Sequence, residues 1–250
     1  MIDIHTHILP HMDDGAKDTA LAIAMLKAEK QQGVDTVILT SHFYSKRSPK
    51  EFIERRNHMY EHIKPQIPEG MKALLGAEVH FTGVNVAEFD ELCTLAIEGT
   101  KYILIEFPFT TVWDKGLLRK FAEFVFETEY TPIIAHAERY PEVRKRPSII
   151  NELVDMGCLI QVNLGSFMDK QESKLAYAIM KHGMMHCIGT DAHDMGRRAP
   201  RWTEVLEKLK DEGYEDELNQ AQEIMKKVVT GEQVRVQSSS PIKKFLWKYV

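Results

Sequence analysis

The hydrophobic positions along the chain fall into two alternating patterns. Short, nearly unbroken apolar runs occur at residues 2–4, 34–40, 72–77, 102–105, 131–134, 159–162 and 185–189. Between them lie longer amphipathic stretches at residues 20–32, 49–64, 115–127, 147–156 and 173–181. Continuous apolar runs predict strands buried on both faces of a parallel sheet, and the intervening stretches predict helices. Asp18 and Thr19 are candidate N-caps, and Gly33, Gly157 and Gly183 each end a helix just before a strand. That is the signature of repeated αβ turns with a left-handed glycine. Two more helical stretches, about residues 200–211 and 214–230, close the repeat.

Seven strands alternating with helices fit either a doubly wound sheet or a closed barrel. The polar residues at the strand exits decide between them. His5-Thr-His7 follows the first run, and residues two apart in extended chain share a face, so both imidazoles can converge on one divalent metal. Asp13, Asp14 and the turn-forming Gly15 come next. Later strands deliver His42, Glu78 with His80, Glu106, His136, Asn163, and Asp191 with His193. A single centre fed from every strand requires the ring of strand ends that a barrel provides, whereas an open sheet gathers a site at its switch point. The expectation is therefore a TIM-like barrel of about seven strands. Of the eleven histidines, His58 and His62 suit the solvated face of a charged helix, and His182 and His186 suit structural roles. His11 and His80 could line a pocket without binding metal.

Composition narrows the class. The hydrophobic content of 44% and charged content of 28% are those of an ordinary globular protein. A net charge of −5 argues against a general nucleic-acid binder. No apolar run is long enough to span a membrane, and no secretory leader is expected at the N-terminus. Cys93, Cys158 and Cys187 are sparse and odd in number, which fits reduced thiols and a cytoplasmic location. None is followed by arginine six residues on: those positions are Gly99, Leu164 and His193. A cysteine-dependent tyrosine phosphatase is thereby excluded, and no nucleotide-binding glycine motif is present.

Six stretches together carry a family resemblance. They are Ile2-Asp-Ile-His-Thr-His-Ile-Leu-Pro10, Met12-Asp-Asp-Gly15, Gly76-Ala-Glu78, Lys101-Tyr-Ile-Leu-Ile-Glu-Phe-Pro108, Pro132-Ile-Ile-Ala-His-Ala-Glu-Arg-Tyr140 and Asp191-Ala-His193. They resemble the polymerase and histidinol phosphatase (PHP) superfamily. Within it they resemble the metal-dependent protein-tyrosine phosphatases of bacterial capsule and exopolysaccharide systems. The resemblance implies a distorted (β/α)7 barrel with three metals, usually manganese, with iron, zinc or magnesium as alternatives. It places His5, His7, Glu78 and Asp191 on the first metal, with Glu78 bridging to a second held by Glu106 and His136. Asp14, His42 and His193 hold the third. It further implies Arg139 and Arg198 as phosphate clamps, with Arg197 the alternative to the latter. The implied partner is a phosphotyrosine-bearing protein, in particular a membrane-associated bacterial tyrosine kinase.

This assignment is chemically coherent. A hydroxide bridging two close divalent ions is a nucleophile near neutral pH, and guanidinium pairs two phosphate oxygens at once. A phenolate, with a pKa near 10, leaves with less protonation than an alkoxide. The competing readings are a phosphatase of a small phosphomonoester such as histidinol phosphate, and a metal-binding scaffold that docks a kinase without turnover. A cyclic-amide hydrolase usually requires a bridging lysine, and Glu106 takes the equivalent place.

Locally basic loops near the expected active face, with Lys46, Arg47 and Lys50, then Arg144, Lys145 and Arg146, then Arg197, Arg198 and Arg201, would attract an anionic substrate or merely be solvated. The expected division is one barrel domain over residues 1–233 and a basic-aromatic tail over 234–250. That tail either packs on the barrel or docks a partner or an anionic bilayer.

Overall fold

The computed structural model describes residues 1–44, 48–82, 89–245 and 248–250. Lys46 and Arg47 of the first basic loop, and Leu246 and Trp247 of the tail, lie outside the described residues.

The chain opens with strand β1 (Ile2–Thr6), helix α1 (Thr19–Gln31) and strand β2 (Thr36–Leu39). Asp18 caps α1 by accepting from the Leu21 amide at 2.8 Å, leaving an apolar face of Ala22, Ile23, Met25 and Leu26 buried on the sheet. Next come β3 (His42–Phe43), α2 (Pro49–Ile63), β4 (Lys72–Leu75), β5 (Glu78–His80) and the short α3 (Phe89–Cys93). The pattern continues through β6 (Tyr102–Glu106), α4 (Lys115–Glu127), β7 (Thr131–Ile134), α5 (Pro141–Lys145), α6 (Ser148–Asp155), β8 (Leu159–Asn163), α7 (Ser173–Lys181) and β9 (Cys187–Gly189). Helices α8 (Trp202–Asp211) and α9 (Glu215–Thr230) follow, then the antiparallel pair β10 (Lys244–Phe245) and β11 (Lys248–Tyr249).

Every pairing among β1 to β9 is parallel. Two sheets form, in the orders β1-β2-β4 and β3-β5-β6-β7-β8-β9. They are continuous through the chain, because β2 and β3 are halves of one strand broken at Thr40–Ser41, and β4 and β5 are halves broken at Gly76–Ala77. Among the described residues this makes seven strand positions. The ring closes where the extension of β9 meets that of β1. Thr6 bridges Ala192, the His7 amide donates to the Ala192 carbonyl at 2.9 Å, and the Asp191 amide donates to the His5 carbonyl at 2.8 Å. The fold is a distorted, TIM-like (β/α)7 barrel.

The sequence reading expected single strands over 34–40 and 72–77. The breaks arise from contacts with the neighbouring strands. Thr40 turns its hydroxyl to the Thr6 amide at 3.0 Å, and Thr6 turns its own to the Ile38 carbonyl at 2.7 Å. A side chain at Gly76 would come within 3.2 Å of Ile38 Cγ2. The two half-strands beyond the breaks carry His42 and Glu78, so the distortion aims these residues into the barrel mouth. Among the described residues no helix is long and apolar enough to cross a membrane.

After α9 the chain packs against the barrel. Tyr102 receives the Val234 amide at its hydroxyl and donates to the Glu232 carbonyl. Asn151 bonds the Ser239 carbonyl and the Ile242 amide, burying Ile242, and both Lys244 and Tyr249 donate to the Arg144 carbonyl.

Candidate metal centre

Nine side chains from six of the seven strand positions meet at the carboxyl end of the barrel. Glu78 stands at their middle and is fully buried. Its Oε2 lies 3.3 Å from His5 Nε2, 3.2 Å from His7 Nε2 and 2.9 Å from His42 Nδ1, and its Oε1 lies 2.9 Å from His136 Nε2. Glu106 sits 3.6 Å from His136 Nε2 and 3.7 Å from His42 Nδ1. Asp191 Oδ1 is 3.6 Å from His5 Nε2 and 3.4 Å from His7 Nε2. Asp14 Oδ1 is 3.4 Å from His193 Nε2 and 3.6 Å from His42 Nε2. The ligand atoms gather into overlapping groups: His5–His7–Asp191, His5–Glu78–His136, His42–Glu78–Glu106, and His7–Asp14–His42–His193.

These residues fit divalent cations on chemistry internal to the site. Four buried atoms, His42 Nδ1, Glu78 Oε2, His136 Nδ1 and His193 Nε2, make no hydrogen bond despite their close neighbours. Orphaned buried polar atoms call for an explanation, and a shared cation supplies one. The electrostatics agree. Burial disfavours the Glu78 carboxylate, yet the imidazoles of His5, His136 and His42 outweigh it and hold its pKa well below the usual range. Asp191 is lowered likewise, against its burial, by His5, His7 and His136 with Arg198. The histidines answer unequally. Glu78 and Asp191 raise His5 despite its burial, whereas burial and the neighbouring His7 push His193 down to about 3. Burial and the Glu78 charge push Glu106 up to about 7. The surrounding imidazoles thus hold Glu78 and Asp191 ionised, and divalent cations would supply the balancing charge in their place.

A second layer fixes ring orientation. Asp13 Oδ2 accepts from His7 Nδ1 at 2.8 Å and from the His42 amide at 2.8 Å, while Oδ1 accepts from the Gly15 amide at 3.0 Å. His7 therefore carries its proton on Nδ1 and turns the Nε2 lone pair inward. The Asp191 carbonyl does the same for His193 through Nδ1 at 2.8 Å. Gln161 Oε1 faces His5 Nδ1 at 3.1 Å and accepts from the His136 amide at 2.8 Å. Its amide nitrogen donates to Asn163 Oδ1, and Asn163 donates to Asp191 Oδ2 at 3.0 Å. His136 and Asp191 adopt left-handed φ values of 33° and 53°, a conformation uncommon for non-glycine residues and concentrated at functional sites. Gly15 and Gly189 make room for the pair at β1. A Cβ at Gly15 would lie 2.1 Å from the His7 carbonyl oxygen, and one at Gly189 would lie 2.7 Å from His5 Cβ.

The mouth is a cavity of about 270 Å³ lined by Asp14, His42, Glu106, His136, Asp191, Arg139, Arg198 and, on its outer rim, Tyr44, His80 and Phe109. Arg139 Nη1 lies 2.9 Å from Asp191 Oδ2 and Arg198 Nη2 lies 2.8 Å from Asp191 Oδ1. Arg197 is exposed and lines the adjoining groove instead. His80 lines the mouth half-buried, and His11 is exposed, outside that lining. His58 and His62 stay on the exposed face of α2, and His186 Nδ1 accepts the Ile160 amide in the core. Asp13 and Asn163, which the sequence places at strand exits, act as supports, and Gln161 is a support that the sequence reading did not single out. Gln161 left a trace there, as an amide inside an apolar strand run, two residues before Asn163.

The chain matches the family model described as capsular polysaccharide synthesis, CpsB/CapC, over residues 1–229. It is 35% identical to the tyrosine-protein phosphatase YwqE of Bacillus subtilis over 223 residues, 85% of each chain. It is 27% identical to the tyrosine-protein phosphatase CpsB of Streptococcus agalactiae serotype III over 210 residues, 80% of this chain and 86% of that one. Its backbone superposes at a TM-score of 0.83 and 31% identity on a crystal structure from work on YwqE of B. subtilis and CpsB of Streptococcus pneumoniae, described as unique metal-dependent tyrosine phosphatases. That match covers 98% of this chain and 100% of the other. A histidinol phosphate phosphatase of Lactococcus lactis shares the fold at a TM-score of 0.54 and 14% identity. A barrel of this topology, matched along nearly its whole length, makes the chain a member of the CpsB/CapC family of capsular polysaccharide synthesis proteins.

Proposed function

We propose that the protein is a metal-dependent phosphatase that removes phosphate from tyrosine side chains of proteins, acting in the cytoplasm with manganese as its cofactor. The substrate in this reading is a membrane-associated bacterial tyrosine kinase that controls capsule or exopolysaccharide synthesis. The observation that carries it is the convergence of nine metal-competent side chains, Glu78 among them, in overlapping groups at the barrel mouth, with two guanidinium groups lining the same cavity.

His5, His7, Glu78 and Asp191 form the first ligand set. Glu106 and His136 join Glu78 in the second, and Asp14, His42 and His193 form the third. Divalent cations in such a site acidify water to a nucleophile and neutralise the oxygens of the phosphate. The chain's own residues supply the rest. Each guanidinium has five N–H donors: Arg139 directs Nη1 to Asp191 with Nε 3.6 Å from Glu172, and Arg198 directs Nη2 to Asp191 with Nη1 3.8 Å from Asp14, leaving the remaining N–H groups to pair with phosphate oxygens. Asp13 and Gln161 keep the His7 and His5 rings turned inward. A phenolate leaving group, with a pKa near 10, needs less protonation than an alkoxide.

The test is hydrolysis of a phosphotyrosine peptide, a phosphoserine peptide and histidinol phosphate side by side, by protein loaded with Mn²⁺. Preference for the phosphotyrosine peptide is expected. Preference for histidinol phosphate would move the protein to the small-substrate branch, and no turnover on any of the three would refute the phosphatase reading.

A further inference from the structure

Two large aromatic side chains stay exposed at the mouth of the metal centre. Tyr44 is 47% exposed and Phe109 is 40% exposed, and both line the cavity that contains Arg139, Arg198 and Glu106. Neither hangs loosely. Phe109 follows Phe107, which is buried against Trp113 at 4.5 Å and Phe121 at 5.0 Å between ring centroids, with its amide bonded to the Tyr140 hydroxyl. The Phe109 ring stacks on His136 at 5.6 Å with 22° between planes, and the Arg139 guanidinium lies 5.1 Å from its centre. Tyr44 follows Phe43, buried edge-on against Phe52 at 5.5 Å. Its ring lies 5.2 Å from those of His42 and His80. Each rim aromatic is thus anchored by a buried aromatic one or two residues before it, yet leaves close to half of its surface open.

An apolar ring held open beside a polar site has its use in ligand contact. We propose that Phe109, assisted by Tyr44, is the specificity-determining residue that holds the phenyl ring of an aryl phosphate and so separates aryl from alkyl phosphate esters. The inference rests on the phosphatase reading above. In an aryl ester the ring begins one oxygen from phosphorus. With the phosphate at Arg139 and Arg198, that ring falls within the mouth where Phe109 stands over the same guanidinium. An alkyl ester presents only a narrow methylene chain there and gains little from an aromatic face. A cavity of about 270 Å³ accommodates one phosphorylated ring and leaves the peptide main chain outside.

Competitive inhibition tests this directly. Phenylphosphonate and propylphosphonate carry the same charged head, and their inhibition constants are measured against p-nitrophenyl phosphate turnover by the Mn²⁺-loaded protein. Wild type should bind phenylphosphonate about 3- to 10-fold tighter, the range expected of one aromatic stacking contact. Phe109→Ala should bring the ratio near unity while leaving the propylphosphonate constant in place, and Phe109→Tyr should restore it. Tyr44→Ala should lower the ratio by less. Bound metal is measured in every variant, because Phe109 also touches His136. Should Phe109→Ala fail to fold, Phe109→Leu carries the same expectation. Equal weakening of both inhibitors, or no change in the ratio, would refute the aromatic role while leaving the phosphatase reading intact. A wild type with no phosphatase turnover would remove both.

Discussion

Asp13 offers the sharpest test of how the site is held. Its carboxylate is almost wholly buried and accepts three N–H groups, two on Oδ2 and one on Oδ1. Although burial opposes its charge, His7 holds its pKa far below the usual carboxylate range. Asp13→Asn keeps the shape but replaces one acceptor oxygen with an NH₂ group. If the amide oxygen takes the Oδ2 place, the NH₂ meets the Gly15 amide, donor to donor. If it takes the Oδ1 place, the NH₂ meets the His42 amide and drives His7 to the tautomer with its proton on Nε2. That nitrogen then points a hydrogen, rather than a lone pair, into the ligand cluster. One buried donor is left unpaired in either case, a penalty of about 1–3 kcal/mol. Losing an orienting partner of a ligating histidine typically weakens metal binding by about 10- to 100-fold. The expected result is an apparent Mn²⁺ dissociation constant raised by roughly that factor, measured by calorimetry and by turnover against Mn²⁺ concentration. Most of kcat should return at saturating metal, because no atom of Asp13 reaches the substrate cavity. Asp13→Asn protein with wild-type Mn²⁺ affinity would refute the orienting role, and a kcat that saturating metal cannot restore would place Asp13 in the chemistry itself.

Other perturbations separate the remaining roles. Arg139→Ala and Arg198→Ala should each leave metal content unchanged and lower turnover on a phosphotyrosine peptide by roughly 10²- to 10³-fold, as loss of one preorganised donor does; full activity in both would mean the phosphate is held elsewhere. His7→Ala and Asp191→Ala should instead lower metal content and turnover together, as metal analysis beside kinetics will read. Replacing Cys93, Cys158 and Cys187 together by Ala should leave catalysis nearly intact, since all three are buried and burial pushes the Cys158 and Cys187 thiols well above their ordinary values; chelator-resistant activity would overturn the metal mechanism. We propose that residues 1–233 form one barrel domain with residues 234–250 packed on it. Deleting residues 241–250 then exposes the Ile242 pocket, with an expected fall in Tm of roughly 4–10 °C. An unchanged Tm with weakened partner binding would make the segment a docking arm.

The sequence and the structure agree most closely where the physics is local. Unbroken apolar runs become parallel strands because both faces are covered. Gly33, Gly157 and Gly183 adopt φ values of 87°, 94° and 66°, which only the residue type need predict. Strand exits carry the chemistry because the topology leaves them no other common meeting point. What escaped the sequence depends on contacts made far along the chain. Asp13 and Asp14 are adjacent carboxylates, and spacing cannot say which one reaches His7 and which one faces His42 and His193. The strand breaks at Thr40 and Gly76 arise from packing against Thr6 and Ile38. Gln161 joins His5, His136 and Asn163, but a neutral amide carries neither charge nor periodicity to mark its purpose. Asp3 is similar: it accepts from Thr190, the His5 amide and Trp202 Nε1 beneath the site, and nothing near it in sequence announces this.

The seam where the barrel closes bears on synthesis. Thr6 emerges from the ribosome well before Ala192, its bridging partner, which follows only after most of the barrel has been made. The first strand therefore waits with one edge unpaired, and His5 and His7 wait without Asp191 and His193. Pairings so distant in sequence are the slowest to form. A nascent chain shortened before residue 190 would hold a ligand cluster open on one side and a β1 edge free to pair elsewhere. Completion of the ligand cluster is thus a late event, coupled to arrival of the final strand rather than to the early histidines that begin the site.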